Sequence, residues 1–481
     1  MHGVFPVLYL RILPLLLLIS SCSLHQDTPI PPLPQAQGTY SQVEAGGTGY
    51  QDPGEWWFHF KDPRLDEWMK KALGHNPNIL AAQARVEQRL AYSDKSWSSL
   101  FPNFNLSAGQ SQTKVGSGSS QVQSESFSAA LESSYDLDLF GANSSALKAS
   151  EYDLLGAVED YRVTLASVSS QLARVWFLHL ETLGQIQLAQ DSLAANQVNY
   201  NWIEQSYRQG QAQAADVLAA KEQMLSSKLL ILNLQSLADQ QAHQLHQVAG
   251  EYPQRLESEG GLPETMELPL IQTGLPSELL QHRPEIKKAI LALKAQDHRI
   301  AAAVAARFPR LSISAQVGYS AEESTGLSDP GNFLSNFVAN LALPIVDMGS
   351  RRAEVRRQEQ ILKERLADYQ RVLLSAFVEV ENALNKNRII KQRLEVLAEQ
   401  VTLSQERLKL TKSGFVQGVN RWDQVLTAQQ QYDNYRKSKL KEQRSWVESR
   451  IDLFTALGGN WTKSYWEKTH PDLKSQIEED P

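Results

Sequence analysis

The chain has 481 residues and a formal net charge of −7. This weakly acidic balance offers no basic face for nucleic acid, which excludes a nucleic-acid partner. A single cysteine, Cys22, leaves no intrachain disulfide to support the fold.

The N-terminal region is predicted to carry a targeting signal and a tether. An apolar stretch, too short to cross a bilayer as a helix, ends at Ile19-Ser20-Ser21-Cys22. This string resembles a bacterial lipobox, which predicts a signal peptide over 1–21 and acylation of Cys22. The alternative is a signal that is cleaved elsewhere and leaves a buried free cysteine. The segment that follows is rich in Pro, Gln, Gly and Ser, which predicts a lipidated, extended tether over 22–52.

The folded part is predicted to begin with a helix and two strands. The pair Asp62-Pro63 favours a helix start, and the helix is expected to run to about Leu100, because Pro102 stops it. Apolar residues then fall on every second position, which predicts β-strands. The first two of these alternating segments begin near Phe104 and Phe127.

The alternation indicates where such strands lie. One face is apolar and the other is small or polar, as expected of strands between lipid and a wet lumen. A soluble β-sandwich also alternates, but it needs about seven strands per domain. This chain has four such segments, with the second pair beginning near Leu311 and Phe333. Four strands do not close a barrel alone, so partner chains are required to remove the open edges.

Each strand pair is followed by a very long helical stretch. These stretches run from about Ala142 to Arg208 and from about Ser350 to Lys412, without proline. Their apolar residues alternate at spacings of four and three, which predicts coiled-coil packing. Each helix would reach on the order of 95 Å. A glycine turn and a returning helix of about forty residues follow each one.

The same pattern occurs twice, because Pro77 and Pro284 lie 207 residues apart and Gly210 and Gly418 lie 208 apart. Such an offset predicts two tandem copies of one structural unit. We assign the first repeat to 53–250 and the second to 275–461. A linker at 251–274 joins them, and a polar tail at 462–481 is expected to be poorly ordered.

No motif for catalysis is present. The chain lacks HExxH, a phosphate-binding glycine loop with lysine, and a GxSxG elbow, so we expect no enzyme activity, cofactor or metal site. The turns at the far ends of the long helices are better candidates for a periplasmic tip or gate. They carry six candidate residues: Tyr207, Arg208, Asp216, Phe415, Arg421 and Asp423.

The tip charges allow two interpretations. If the helices surround a channel, the charges form rings, and ion pairs across neighbouring helices hold the end shut until a partner competes. The alternative is that they are ordinary helix-start residues, since an aspartate such as Asp216 in a first turn favours the helix dipole.

Several strings carry a resemblance to a known family. They are Trp56-Trp57, Phe101-Pro102, Leu137-Asp138-Leu139-Phe140-Gly141, Gly274-Leu275-Pro276-Ser277 with Arg283-Pro284, Leu343-Pro344-Ile345, and Ala456-Leu457-Gly458-Gly459 with Trp461. In these strings the chain resembles the TolC-like outer membrane efflux protein family, in particular the lipoprotein branch that serves resistance-nodulation-division efflux pumps. The resemblance covers roughly residues 53 to 461.

The resemblance implies a mainly α-helical fold with membrane β-strands. Three protomers would form a twelve-stranded outer-membrane β-barrel and a long α-helical barrel in the periplasm. The tips would meet a periplasmic adaptor protein and, through it, an inner-membrane pump. The family often has an aspartate before an Ala-Gln pair near the second tip, whereas Thr427 precedes Ala428-Gln429 here. Asp216 matches the aspartate that the family has in its first repeat. In the second repeat, Asp423 is expected to take the place of the aspartate that Thr427 replaces.

These expectations describe a passive duct without a cofactor, anchored in the outer membrane by lipid and extending into the periplasm. The protein would serve as the outer membrane channel lipoprotein of a tripartite efflux or export system. The alternatives are the exit duct of a type I secretion system and a structural coiled-coil lipoprotein that spaces the envelope layers. A spacer gives no reason for an apolar outward face on the strands.

Overall fold

The computed structural model describes residues 54–116, 122–256, 260–263 and 282–473. The predicted signal peptide, the acylation site Cys22 and the tether therefore lie outside the described residues, as does part of the predicted linker. The chain divides into two compact units. Among the described residues, the strand unit contains residues 85–116, 122–158 and 288–370, and the helical unit contains residues 54–84, 159–256, 260–263, 282–287 and 371–473.

The strand unit is built around one antiparallel sheet. Its four strands lie in the order β1-β2-β3-β4, so β1 and β4 form the edges. The strands are β1 (Asn103–Val115), β2 (Val122–Leu137), β3 (Arg310–Ala321) and β4 (Phe333–Ala342). The prediction of four strands is confirmed, and β1, β3 and β4 each begin within one residue of the predicted start.

The end of β2 differs from the alternating sequence pattern, which continues to Leu139. The strand ends at Leu137 because the next residue, Asp138, caps the following helix. One carboxylate oxygen of Asp138 accepts the backbone N–H of Asn143 at 3.0 Å, and the other accepts that of Ser144 at 2.8 Å. A carboxylate satisfies the unpaired N–H groups that every helix start presents.

One face of the sheet is apolar and open to solvent. Alternate residues of a strand share a face, and the register places Phe104 in the same row as Phe337. On this face Phe104, Leu106, Phe337 and Leu341 are 65–82% exposed. The opposite face carries mainly Ser, Asn and Gln side chains. The sheet thus separates an apolar from a polar surface, as the alternation predicts.

Two helices of 67 residues each supply parts of both units. They are α3 (Ala142–Arg208), which has the predicted bounds, and α6 (Ser350–Val416), which continues four residues beyond the predicted end at Lys412. The shorter helices α2 (Pro77–Ser98) and α5 (Pro284–Ala305) also belong to both units. The other α-helices of the helical unit are α1 (Pro63–His75), α4 (Ala214–Ala249), α7 (Trp422–Leu457) and α8 (Trp461–Thr469).

The prediction of one continuous entry helix is wrong, because the chain leaves the helical conformation at Asn76, between α1 and α2. A residue that precedes proline disfavours the helical conformation, and Pro77 follows. The Asn76 side chain stabilises the break: its amide donates to the carbonyl of Val248 at 2.7 Å, and its Oδ1 accepts the N–H of Asn78 at 2.8 Å.

The expectation of a poorly ordered tail is also wrong for its first residues. Helix α8 buries Trp461, Thr462 and Trp466 against the helical unit. The Trp466 ring lies 4.1 Å from the stacked ring of His470 and 5.0 Å from that of Tyr161. Aromatic residues within a polar segment therefore give this end of the chain a buried face. No helix in the described part of the chain is both long and apolar enough to cross a membrane.

Candidate functional site at the helix turns

The two turns that join the long helices to the returning helices have the same backbone structure. We call them the first tip turn (residues 207–218) and the second tip turn (residues 415–426). Gly210 and Gly418 both have a φ of +75°, in the left-handed region that favours glycine. The N–H that follows each glycine donates five residues back, from Gln211 to Ser206 and from Val419 to Gly414, at 2.9 and 2.8 Å. This is the Schellman motif that commonly ends a helix.

The returning helices also start alike. In α4, the carboxylate of Asp216 accepts the backbone N–H of Gln213 at 3.1 Å, which completes a capping box. In α7, the side-chain oxygen of Gln424 accepts the N–H of Arg421 at 3.1 Å. Gln424, and not Asp423, is therefore the structural counterpart of Asp216. This finding agrees with a helix-start role for Asp216.

An apolar cluster lies beneath both turns and joins them. Its buried members are Ile203 and Ala220 from the first hairpin, and Trp422 and Val425 from the second. Phe415, one of the candidate residues, packs on this cluster, with its ring centroid 4.9 Å from Trp202 and 5.4 Å from Trp422. The two tip turns of one protomer therefore form a single packed end.

The tip charges pair with residues of their own hairpin. The Arg208 guanidinium lies 3.0 Å from the Glu204 carboxylate, and that of Arg421 lies 3.3 Å from Asp423. Both pairs are largely solvent-exposed, so each contributes little to stability. Among the described residues, no ion pair joins the first tip turn to the second.

The structure places the six candidate residues in different roles. Phe415 belongs to the apolar cluster, Asp216 caps α4, and Arg208, Arg421 and Asp423 carry exposed charge. Tyr207 is about half exposed at the end of α3.

Two tryptophans on which Phe415 packs, Trp202 and Trp422, were not predicted as tip residues from the sequence. Their aromatic side chains, at helix positions that face the partner hairpin, were the available signal. The Thr427 hydroxyl donates to the carbonyl of Asp423 within α7, at 2.8 Å. In the described ranges no group of three or more His, Cys, Asp or Glu side chains is suited to hold a metal ion.

The model of the family described as "Outer membrane efflux protein" matches residues 68–251 and 275–459. The protein named "Probable efflux pump outer membrane protein SepC" of Pseudomonas putida is 28% identical, over 92% of this chain and 95% of its own length. The "Probable outer membrane lipoprotein SilC" of Salmonella typhimurium is 26% identical, over 95% of this chain and 100% of its own.

Solved structures agree in fold. The crystal structure of the Campylobacter jejuni CmeC outer membrane channel matches with a TM-score of 0.84 and 22% identity. The match covers 95% of this chain and 98% of that one. At this identity the likeness concerns the fold alone. It extends over the strands and the long helices together, because so little of either chain is left out.

Proposed function

The chain belongs to the outer membrane efflux protein family, and we propose that it is the passive outer-membrane duct of a tripartite efflux or export system. It is a channel-family protein of the outer membrane. In this proposal it catalyses no reaction and holds no cofactor, and the energy for transport comes from the pump.

The observation that carries the proposal is the open, apolar face of the sheet. A four-stranded sheet with two free edges leaves unpaired backbone N–H and C=O groups, which cost several kcal/mol each in hydrocarbon. Side chains such as Leu106 and Phe337 stay exposed on the same sheet. If identical neighbours continue the sheet into a closed cylinder, the edge groups find hydrogen-bond partners and the exposed apolar side chains face lipid. Three protomers of four strands give the proposed twelve-stranded barrel.

The proposed partners follow from this assembly. The tip turns of the homotrimer would contact a periplasmic adaptor protein, which connects the duct to an inner-membrane pump. The acyl chains on Cys22 would anchor the protein in the outer-membrane lipid. The name of SilC, an outer membrane lipoprotein, supports this anchor.

Gel migration tests the assembly. We expect protein extracted from outer membranes with detergent to migrate as a trimer without heating and as a monomer after boiling, because heat alone opens a closed barrel. Salt should not release it from the membrane. A water-soluble monomer that salt alone releases would contradict the duct and favour the envelope spacer.

The tip charges should restrict passage through the closed duct. We propose that Asp216 and Asp423 contribute to this restriction, and we expect Asp216→Asn with Asp423→Asn to raise single-channel conductance severalfold. The physical reason is that, in the closed trimer, these carboxylates would pair with positive charges on neighbouring helices and hold the end shut, so removing both leaves the tips easier to separate. Asparagine at 216 keeps an oxygen that accepts the Gln213 N–H, so the cap of α4 survives.

The matched control is Glu222→Gln, which removes one exposed charge from α4 without touching either capping box. It should leave the conductance of the reconstituted protein unchanged. If the double variant conducts like the wild type in planar bilayers, the two aspartates have no gating role.

A further inference from the structure

A row of polar side chains crosses the polar face of the sheet from edge to edge. The register pairs Asn105 with Glu132, Glu132 with Gln316, and Gln316 with Asn336, so that each strand supplies one member. All four line a cavity of about 270 Å³ on this face. The row therefore borders a hollow that has room for an ion.

Glu132 is the charged member of the row, and its neighbours hold it in place. Its Oε1 accepts hydrogen bonds from the Ser107 hydroxyl at 3.1 Å and from the Gln316 amide at 3.2 Å. Its Oε2 accepts no hydrogen bond from the described residues. One carboxylate oxygen thus fixes the side chain, while the other stays free to face an ion in the cavity.

The other charges on this face offset each other. Among the described strand residues, only Asp136 and Arg310 are also ionisable on the polar face. Asp136 pairs with Ser312, so Arg310 is its diagonal neighbour on the adjacent strand, close enough for long side chains to interact. Since these two have opposite signs, Glu132 is the unbalanced charge of the face.

We propose that Glu132 makes the strand region of the duct prefer cations. This inference rests on the proposed function, because it needs the sheet to close around a lumen. Closure by identical protomers would turn each row into a belt of amides that carries one carboxylate per protomer. Rings of carboxylates raise the local concentration of cations and lower that of anions. Glu132 would then determine which charged solutes pass most easily.

The test is the K⁺/Cl⁻ permeability ratio of the reconstituted protein, from reversal potentials under a KCl gradient at about 10 to 100 mM. At these concentrations the Debye length is about 30 to 10 Å, so a wall charge acts across much of a narrow lumen. We expect Glu132→Gln to lower the ratio by about two- to fivefold, and Glu132→Lys to reverse the preference. At about 1 M salt, where the Debye length is about 3 Å, the difference should vanish.

The matched control is Glu125→Gln. Glu125 lies seven residues earlier on β2, on the opposite face, where it accepts a hydrogen bond from the Gln112 amide at 2.7 Å. This variant loses the same charge and should keep the wild-type ratio. An unchanged ratio in Glu132→Gln, or an equal loss in Glu125→Gln, overturns the inference while leaving the duct intact. A protein that does not conduct in any variant overturns the duct and this inference together.

Discussion

Gly318→Val should abolish the heat-modifiable trimer. Gly318 pairs with Ala130 across β2 and β3, and a Cβ atom at Gly318 would lie 2.3 Å from the carbonyl oxygen of Ala129 and 2.6 Å from the Cα of Ala130. Both atoms belong to the backbone, so no side-chain rotation relieves the contact. The two strands must separate, which costs about 3 kcal/mol or more in each protomer. Unheated samples from outer membranes should then show monomer or degradation products.

Valine makes this a severe test, because it is among the residues most favoured in strands. A loss of assembly therefore cannot be attributed to poor strand propensity. The matched control is Gly109→Val in β1, where the nearest neighbouring atom to an added Cβ, the Ser128 hydroxyl, lies 3.9 Å away. This variant should form trimers. If Gly318→Val forms trimers that dissociate at the same temperature as the wild type, the junction between β2 and β3 accommodates the added side chain, and the prediction is wrong.

The contrast between these glycines shows what sequence alone does and does not predict. Period-two alternation locates the strands and their faces, since it depends only on neighbouring residues. The close approach at Gly318 depends on the register between two hairpins almost 190 residues apart, which no local pattern contains.

Among the features of the helices, some likewise follow from local sequence and others depend on distant contacts. Their length and turns follow from local signals: absence of proline in α3 and α6, and glycine at Gly210 and Gly418. The break at Asn76 and the packing of α8 depend on distant partners, such as the carbonyl of Val248. At the tips, the sequence identifies the turn but not the apolar cluster that joins both hairpins.

Arg162→Met should destabilise the helical unit strongly. Arg162 in α3 is 1% exposed. Its Nη1 donates to both carboxylate oxygens of Glu159 at 2.7 Å, and its Nε donates to the Thr462 hydroxyl in α8 at 3.2 Å. Removing one member of a buried ion pair leaves the other charge without compensation, which typically costs about 3–5 kcal/mol. The thermal midpoint of the purified protein in detergent should fall accordingly at neutral pH.

The loss of stability caused by Arg162→Met should depend on pH. Burial raises the pKa of Glu159, while the nearby positive charge of Arg162 lowers it. Without Arg162 the pKa rises further, so the folded state binds a proton more readily than the unfolded state. A carboxyl group with a raised folded pKa stabilises the fold below its unfolded pKa and loses this contribution as the pH rises through the folded pKa. The gap between Arg162→Met and the wild type should therefore narrow from pH 7 towards about pH 4.5.

Two further variants separate burial from simple loss of charge. Arg357 and Glu354 form an exposed pair with the same three-residue spacing and the same 2.7 Å distance as Arg162 and Glu159. Arg357→Met should therefore cost about 0–1 kcal/mol. Combining Arg162→Met with Glu159→Gln removes the stranded charge, so it should recover much of the lost stability and most of the pH dependence. If Arg162→Met costs no more than Arg357→Met, the pair contributes as a surface pair does, and the attachment of α8 at Thr462 does not depend on it.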